Sequence, residues 1–207
     1  MKNKKNIVRL FIILAIILFI IAFFLMKNGG KKQTAAPEAK KVEEIKVKEF
    51  DYELYDNKSD LYKQYFGKLK EELTKDQVND DEYAKIVAQL FTCDFFSLAD
   101  KKTNTDIGGL DFFYPDKKDN FILAAQDSYY KYVETNVYGD RKQDLPKVTA
   151  VEIKNFEKKP ITIDKVTDGL GYSIVVTITY EKDMGFPKEK TLTLVHKDKK
   201  IYVAEIK

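Results

Sequence analysis

The sequence predicts an α+β domain behind an N-terminal transmembrane helix, with two to three helices packed on a curved antiparallel sheet of about four strands. Three observations predict it. Residues 7–26 are almost wholly apolar, apolar residues then recur every three to four positions as far as residue 137, and from residue 148 they alternate with polar ones. Helical periodicity followed by strand periodicity is typical of domains whose helices cover one face of an antiparallel sheet.

The composition limits the classes of function. The 207 residues are 44% hydrophobic and 33% charged, as in a globular chain, and the net charge of +3 is too small for a strongly basic nucleic-acid binder. A single cysteine excludes an intramolecular disulfide, and a single histidine excludes a His-rich metal site. We therefore expect no nucleic-acid partner, no metal and no cofactor.

The run from Ile7 to Met26 is long enough to span a membrane, since about 20 helical residues cover about 30 Å. It is apolar apart from Arg9, and three lysines precede it. A retained signal-anchor is favoured over the alternative, a cleaved signal peptide, because no small-residue cleavage site follows the run. The basic flank predicts a single-pass cell-membrane protein with residues 1–6 in the cytoplasm and the C-terminal domain outside.

Residues 27–48 form the predicted flexible linker. Gly29, Gly30 and Pro37 stand there among many charged residues, a composition typical of a solvated tether. The far end of this segment, from residue 42 to residue 50, fits either a strand or a short helix. We expect the extracytoplasmic domain over residues 49–207.

Three stripes of apolar residues predict three helices. They cover about residues 61–73, 83–98 and 120–137. The expected N-caps are Ser59 or Asp60 for the first helix, Asn79 or Asp80 for the second, and Asp119 for the third. The loop between the second and third helices turns at Gly108-Gly109, and a short strand is expected at 110–114.

The C-terminal part predicts strands joined by turns. The segments are 148–156, 161–166, 172–180, 191–197 and 201–206. Alternation is clearest over 172–180, where one face carries Tyr172, Ile174, Val176, Ile178 and Tyr180. This run of strands predicts an antiparallel sheet after the helices.

Over residues 50–207 this order of elements resembles the nuclear-transport-factor-2-like family, also called the cystatin-like cone. With a membrane anchor it is similar to the bitopic assembly component of type IV secretion and conjugation systems. The resemblance rests on element order. It implies a cone of helices on a curved sheet, a fold that hosts enzymes, binding modules and scaffolds alike, so the fold alone assigns no function.

Asp94 is the candidate site residue on the second helix, since it lies inside the apolar stripe one turn after Leu90. A carboxylate on a buried face needs partners. The structural interpretation is that Asp94 accepts hydrogen bonds from the Asp106–Gly109 turn. The functional interpretation is a general base in a cavity, as the resemblance implies for some cone domains.

Three tyrosines on the predicted third helix, Tyr129, Tyr130 and Tyr132, are candidate binding residues. We expect them to pack on the sheet with their hydroxyls reaching water, or to line a cavity mouth, and exposed tyrosines favour interfaces. Structural roles are expected for His196 on a strand and for Cys93 beside the helical stripe, since neither has a partner motif nearby.

Two functions fit these patterns. The first is a membrane-anchored extracytoplasmic scaffold or assembly protein, without enzymatic activity, that contacts envelope proteins or itself. The alternative is a cone that binds a small molecule or an envelope polymer, with weak Asp94-based activity. A deep pocket that Asp94 enters favours the second function, whereas a closed, Phe-filled interior favours the first.

Overall fold

The computed structural model describes residues 41–47 and 50–207 of the chain. Within them, three α-helices pack on a curved four-stranded antiparallel sheet, which confirms the predicted α+β class. No helix in these ranges is long and apolar enough to cross a membrane. The predicted span at residues 7–26 and most of the predicted linker lie outside the described residues.

The first two helices form where the apolar stripes predict them. Helix α1 covers Asp60–Leu73 and helix α2 covers Asp80–Phe96. Of the alternative caps, Ser59 accepts a hydrogen bond from the Tyr62 N–H, and Asn79 accepts from two N–H groups in the first turn of α2. These side chains satisfy N–H groups that a helix leaves unpaired at its start.

The third helix differs from the prediction. Helix α3 covers only Lys118–Asp127, and its N-cap residue is Lys117 rather than Asp119. The predicted continuation to residue 137 is wrong, because the Tyr130 N–H reaches back to the Ala125 carbonyl and the chain then runs through turns. The apolar spacing persists beyond the helix because these turns still bury Tyr130 and Val133.

Eight strands form three sheets among the described residues. The strands are β1 Lys41–Val47, β2 Phe50–Tyr55, β3 Val148–Lys158, β4 Ile161–Ile163, β5 Val166–Asp168, β6 Tyr172–Tyr180, β7 Glu189–Lys197 and β8 Lys200–Ile206. The main sheet has the order β3-β6-β7-β8, while β1-β2 and β4-β5 are antiparallel hairpins.

Three details of the strand prediction change. Strand β1 lies inside the predicted linker, so folded structure begins before residue 49. Residues 161–166 are not one strand, because Asp164 and Lys165 have positive φ and turn the chain into the β4-β5 hairpin. The strand expected at 110–114 is a short 3-10 helix, Leu110–Phe112, after which Phe113 bridges to Val203.

The core between the helices and the main sheet is aromatic and closed. Strand β6 buries Tyr172, Ile174, Val176 and Ile178, which confirms the predicted inward face. From α1, α2 and the 3-10 segment come Phe66, Phe91, Phe95, Phe96 and Phe112, each at most 2% exposed. Burial of side chains of this size contributes about 1.5–3 kcal/mol each. The opposite face of the sheet is covered by the β4-β5 hairpin, where Ile161 and Ile163 pack with Val195 and Ala204.

Candidate functional site

Asp94 lies near the C-terminal end of α2 and is fully engaged by partners. Its Oδ1 lies 2.7 Å from the Lys101 Nζ, its Oδ2 lies 2.7 Å from the Lys58 Nζ, and the Gly109 N–H donates to Oδ2 at 2.8 Å. The Asp94 cluster is the name used below for Asp94, Lys58, Lys101 and Gly109. It confirms the expected hydrogen bond from the Asp106–Gly109 turn, whereas the two lysines were not predicted.

Two glycines allow this turn to approach α2. A Cβ at Gly108 would lie 2.2 Å from the Asp94 carbonyl oxygen and 2.6 Å from the Lys101 Nζ. Gly109 has φ +77°, and a Cβ there would lie 2.7 Å from the Phe91 ring. No side chain fits at either position without a shift of the backbone, so the Gly-Gly pair is required by packing.

The electrostatics of the Asp94 cluster disfavour proton transfer. Burial alone would raise the pKa of the Asp94 carboxyl, but the ammonium groups of Lys101 and Lys58 hold that pKa well below its usual range. A carboxylate with so low a pKa is a weak base at neutral pH. The space beside it is about 20 Å³, enough for about one water molecule. Burial raises the pKa of the neighbouring Cys93 thiol, which therefore stays protonated.

The three candidate tyrosines lie in different environments. Tyr130 is completely buried, where its hydroxyl donates to the Phe95 carbonyl at 2.7 Å and accepts from the Gly108 N–H at 3.1 Å. The expectation that this hydroxyl reaches water is wrong, because the chain leaves the helix before Tyr130 and directs its side chain inward. Tyr129 is half-buried, and Tyr132 is 74% exposed.

Tyr129 and Tyr132 line an open apolar groove of about 460 Å³. One wall is the loop that follows α3, and the other is the β6-β7 turn. The aromatic groove is the name used below for the cavity lined by Leu98, Tyr129, Tyr132, Val133, Leu145, Pro146, Met184 and Phe186, with Ser128, Gln143 and Asp144 at its polar edge.

Side-chain hydrogen bonds to the backbone fix the loop that carries Tyr132. The Arg141 guanidinium donates to the carbonyls of Lys101, Glu134 and Ala99. Gln143 accepts from the Glu134 N–H at 2.9 Å and donates to the Tyr132 carbonyl at 2.8 Å. The side chain of Tyr132 is therefore exposed, while hydrogen bonds fix the backbone that carries it. Sequence patterns did not indicate Arg141 or Gln143, since contacts between a side chain and a distant carbonyl follow no periodicity.

A second hollow, of about 230 Å³, adjoins the aromatic groove at Ser128 and Tyr129. It is called the Lys190 hollow below, and its walls are Phe95, Phe113, Phe121, Ala124, Ala125, Ser128, Tyr129, Lys190 and Ile206. Lys190 carries the only charge among these described lining residues. Its Nζ lies 5.8 Å from the centre of the Tyr129 ring, within cation–π distance.

His196 has the structural role expected of it. Its ring Nδ1 lies 2.9 Å from the Asp168 Oδ2, which also accepts the His196 backbone N–H at 2.7 Å. The Nε2 is buried, finds no hydrogen-bond partner among the described residues, and lies 4.0 Å from the Asp80 Oδ2. Over the same ranges, no cluster of three or more His, Cys, Asp or Glu side chains could hold a metal ion.

No protein-family model, curated protein or solved structure matches this chain. The resemblance to the nuclear-transport-factor-2-like family therefore stays a prediction from element order. What the chain can do is argued below from its own residues.

Proposed function

We propose that the chain is a membrane-anchored extracytoplasmic scaffold or assembly protein that acts by protein–protein contact, in a secretion, conjugation or other cell-envelope machine. The observation that carries the proposal is Tyr132, 74% exposed beside the aromatic groove on a loop held by Arg141 and Gln143. Exposed aromatic side chains on a fixed backbone lose little entropy on binding, which is why they are enriched as interface anchors.

The closed interior supports contact rather than turnover. The space between α2 and the sheet is filled by phenylalanines, and the cavity that Asp94 lines is a water-sized one. The alternative, a binding cone with Asp94-based activity, would need Asp94 to face a pocket. Both of its carboxylate oxygens are instead occupied by Lys58, Lys101 and Gly109.

Site-specific photocrosslinking in intact cells tests this function. We expect a photoreactive residue in place of Tyr132 to trap discrete protein partners or a second copy of the chain. Tyr138 is the matched control, because it is 65% exposed on the same loop and does not line the aromatic groove. Equal labelling at the two positions, or no protein adduct at Tyr132, would contradict a contact role for this surface.

The proposed topology has a separate test. If residues 7–26 anchor the chain with its C-terminal domain outside, external protease added to intact protoplasts should digest the domain while cytoplasmic proteins survive. Full protection of the domain, or its release as a soluble form, would contradict the anchored, external location.

A further inference from the structure

The Lys190 side chain places its ammonium group among the apolar residues that line the Lys190 hollow. It shares the inward face of β7 with the buried residues Leu192 and Leu194, so the strand directs its side chain towards the helices. In the part of the chain that the structure describes, no acidic side chain pairs with it. Its contact is the Tyr129 ring.

The lysines nearest along the chain differ from Lys190 in this respect. Each has an acidic partner: Lys182 pairs with Asp144, Lys188 with Asp183 and Lys197 with Asp116. The Lys190 ammonium, which lines the Lys190 hollow, therefore has no acidic counter-charge among the described residues. An anionic group placed there would gain a charge-assisted contact that bulk solvent screens only in part.

The exposed apolar surface is larger than the two cavities. Tyr132 is 74% exposed beside the aromatic groove, and Leu123, on the helix that borders the Lys190 hollow, is 60% exposed. A small molecule that filled both cavities would contact Tyr132 but would leave Leu123, which lines neither cavity, in water. A protein segment lying along both cavities would cover both side chains, and exposed apolar side chains grouped in this way mark protein contacts.

We propose that the aromatic groove and the Lys190 hollow together bind an acidic amphipathic segment of a partner protein. Its apolar side chains enter the two cavities, and one of its carboxylates lies against the Lys190 ammonium. This inference rests on the proposed contact function and deepens it by naming the chemistry of the partner. Apolar burial supplies most of the affinity, while the Lys190 ammonium selects acidic over basic segments.

Two synthetic peptides test the proposal on the full-length chain in nanodiscs. They share one face of Leu and Phe at helical spacing, and one carries Glu where the other carries Lys. We expect the chain to bind the Glu peptide about tenfold more tightly than the Lys peptide, as measured by fluorescence anisotropy. Lys190→Glu should reverse this preference, and Lys190→Gln should abolish it without reversal.

Lys63→Glu is the matched control, because Lys63 lies on α1 and lines neither cavity. It should leave the preference for the Glu peptide unchanged. Tyr132→Ala should weaken both peptides equally, since it removes apolar contact and no charge. Circular dichroism of each variant verifies folding, and Lys190→Gln serves where Lys190→Glu fails to fold.

Equal affinity for the two peptides, or a preference that survives in both Lys190 variants, would overturn the proposal. Dodecanoate is the third probe: if it binds in a Lys190-dependent way and neither peptide binds, the ligand is a small apolar anion and the protein segment is wrong. If a partner protein is crosslinked at Tyr132 but the chain binds the Glu and Lys peptides equally, only this inference is overturned. The proposed contact function would then still stand.

Discussion

Two neighbouring regions near the C-terminal end of α2 use side chains in opposite ways. The Asp94 cluster is polar, closed and fully hydrogen-bonded. The aromatic groove is apolar and open. The Arg141 guanidinium connects them, because it donates to the carbonyl of Lys101 in the cluster and to the Glu134 carbonyl in the loop that bears Tyr132.

The Asp94 cluster is part of a rigid framework, and the aromatic groove is a surface that this framework supports. Tyr130 belongs to the framework, because its buried hydroxyl joins the Gly108 N–H of the turn to the Phe95 carbonyl at the end of α2. Burial of polar groups is tolerated where every group is paired, and such networks fix one conformation. Exposed apolar side chains on that fixed framework are then available for binding. Variants of the two regions should therefore fail in different assays.

Asp94→Ala should have one of the two largest effects on stability, together with Tyr130→Ala. It leaves the Lys101 ammonium, which is 5% exposed, and the partly buried Lys58 ammonium without their shared carboxylate. Breaking a buried ion pair in this way costs about 3–5 kcal/mol in the free energy of unfolding. Asp94→Asn should cost less, because its amide oxygen can still accept from Gly109. Urea denaturation measures both, with the exposed Asp119→Ala as control.

A normal unfolding curve for Asp94→Ala would contradict the structural role of the cluster. If the same variant also lost a measurable activity, a catalytic role for Asp94 would gain support.

Gly109→Ala should have the next largest effect, and Gly139→Ala separates its causes. Both glycines have positive φ, +77° and +75°, so each substitution pays roughly 1–2 kcal/mol for the left-handed backbone. A Cβ at Gly139 meets nothing within 4 Å, whereas one at Gly109 meets the Phe91 ring. Overpacking should therefore make Gly109→Ala about 1–3 kcal/mol worse than Gly139→Ala in the same denaturation assay. Equal losses would show that the turn does not depend on close contact with Phe91.

Asp168→Asn should have a smaller effect that depends on pH. Burial opposes ionisation, but hydrogen bonds from the His196 and Leu170 N–H groups and from the His196 ring hold the pKa of Asp168 below its usual value. The ionised carboxylate therefore stabilises the fold above about pH 4, and this contribution is lost as the pH falls through the lower folded pKa.

The wild-type chain should be more stable than Asp168→Asn by about 1–2 kcal/mol at neutral pH, and the two should converge once the pH is low enough to protonate the folded Asp168 carboxylate. Asp127→Asn, at an exposed position, should show no such convergence. A pH-independent difference for Asp168→Asn would mean that lost packing, and not charge, explains the effect.

The sequence predicted the elements with strong periodicity and missed the contacts that join them. The inward face of β6 and the turn partner of Asp94 followed from alternation and from glycines, which leave a local signature. Lys58 and Lys101 are two lysines among many, and nothing in their spacing marks them as partners of Asp94. Tyr130 and Tyr132 were placed together because apolar spacing continues past residue 127. A hydrogen bond from Tyr130 to Ala125 ends the helix there, and such a bond has no sequence signature.

Tyr132→Ala should have the smallest effect on stability and the clearest effect on contact. Its side chain is 74% exposed, so the free energy of unfolding should change by less than about 0.5 kcal/mol. Tyr130→Ala, two residues earlier and fully buried, should cost about 3–5 kcal/mol by leaving a large cavity. If the two regions divide framework from surface, Tyr132→Ala keeps a normal melting curve and loses its crosslinked partners in intact cells. The Tyr138→Ala control keeps both. Loss of stability in Tyr132→Ala equal to that in Tyr130→Ala would place Tyr132 in the framework and remove the basis for a contact surface at the aromatic groove.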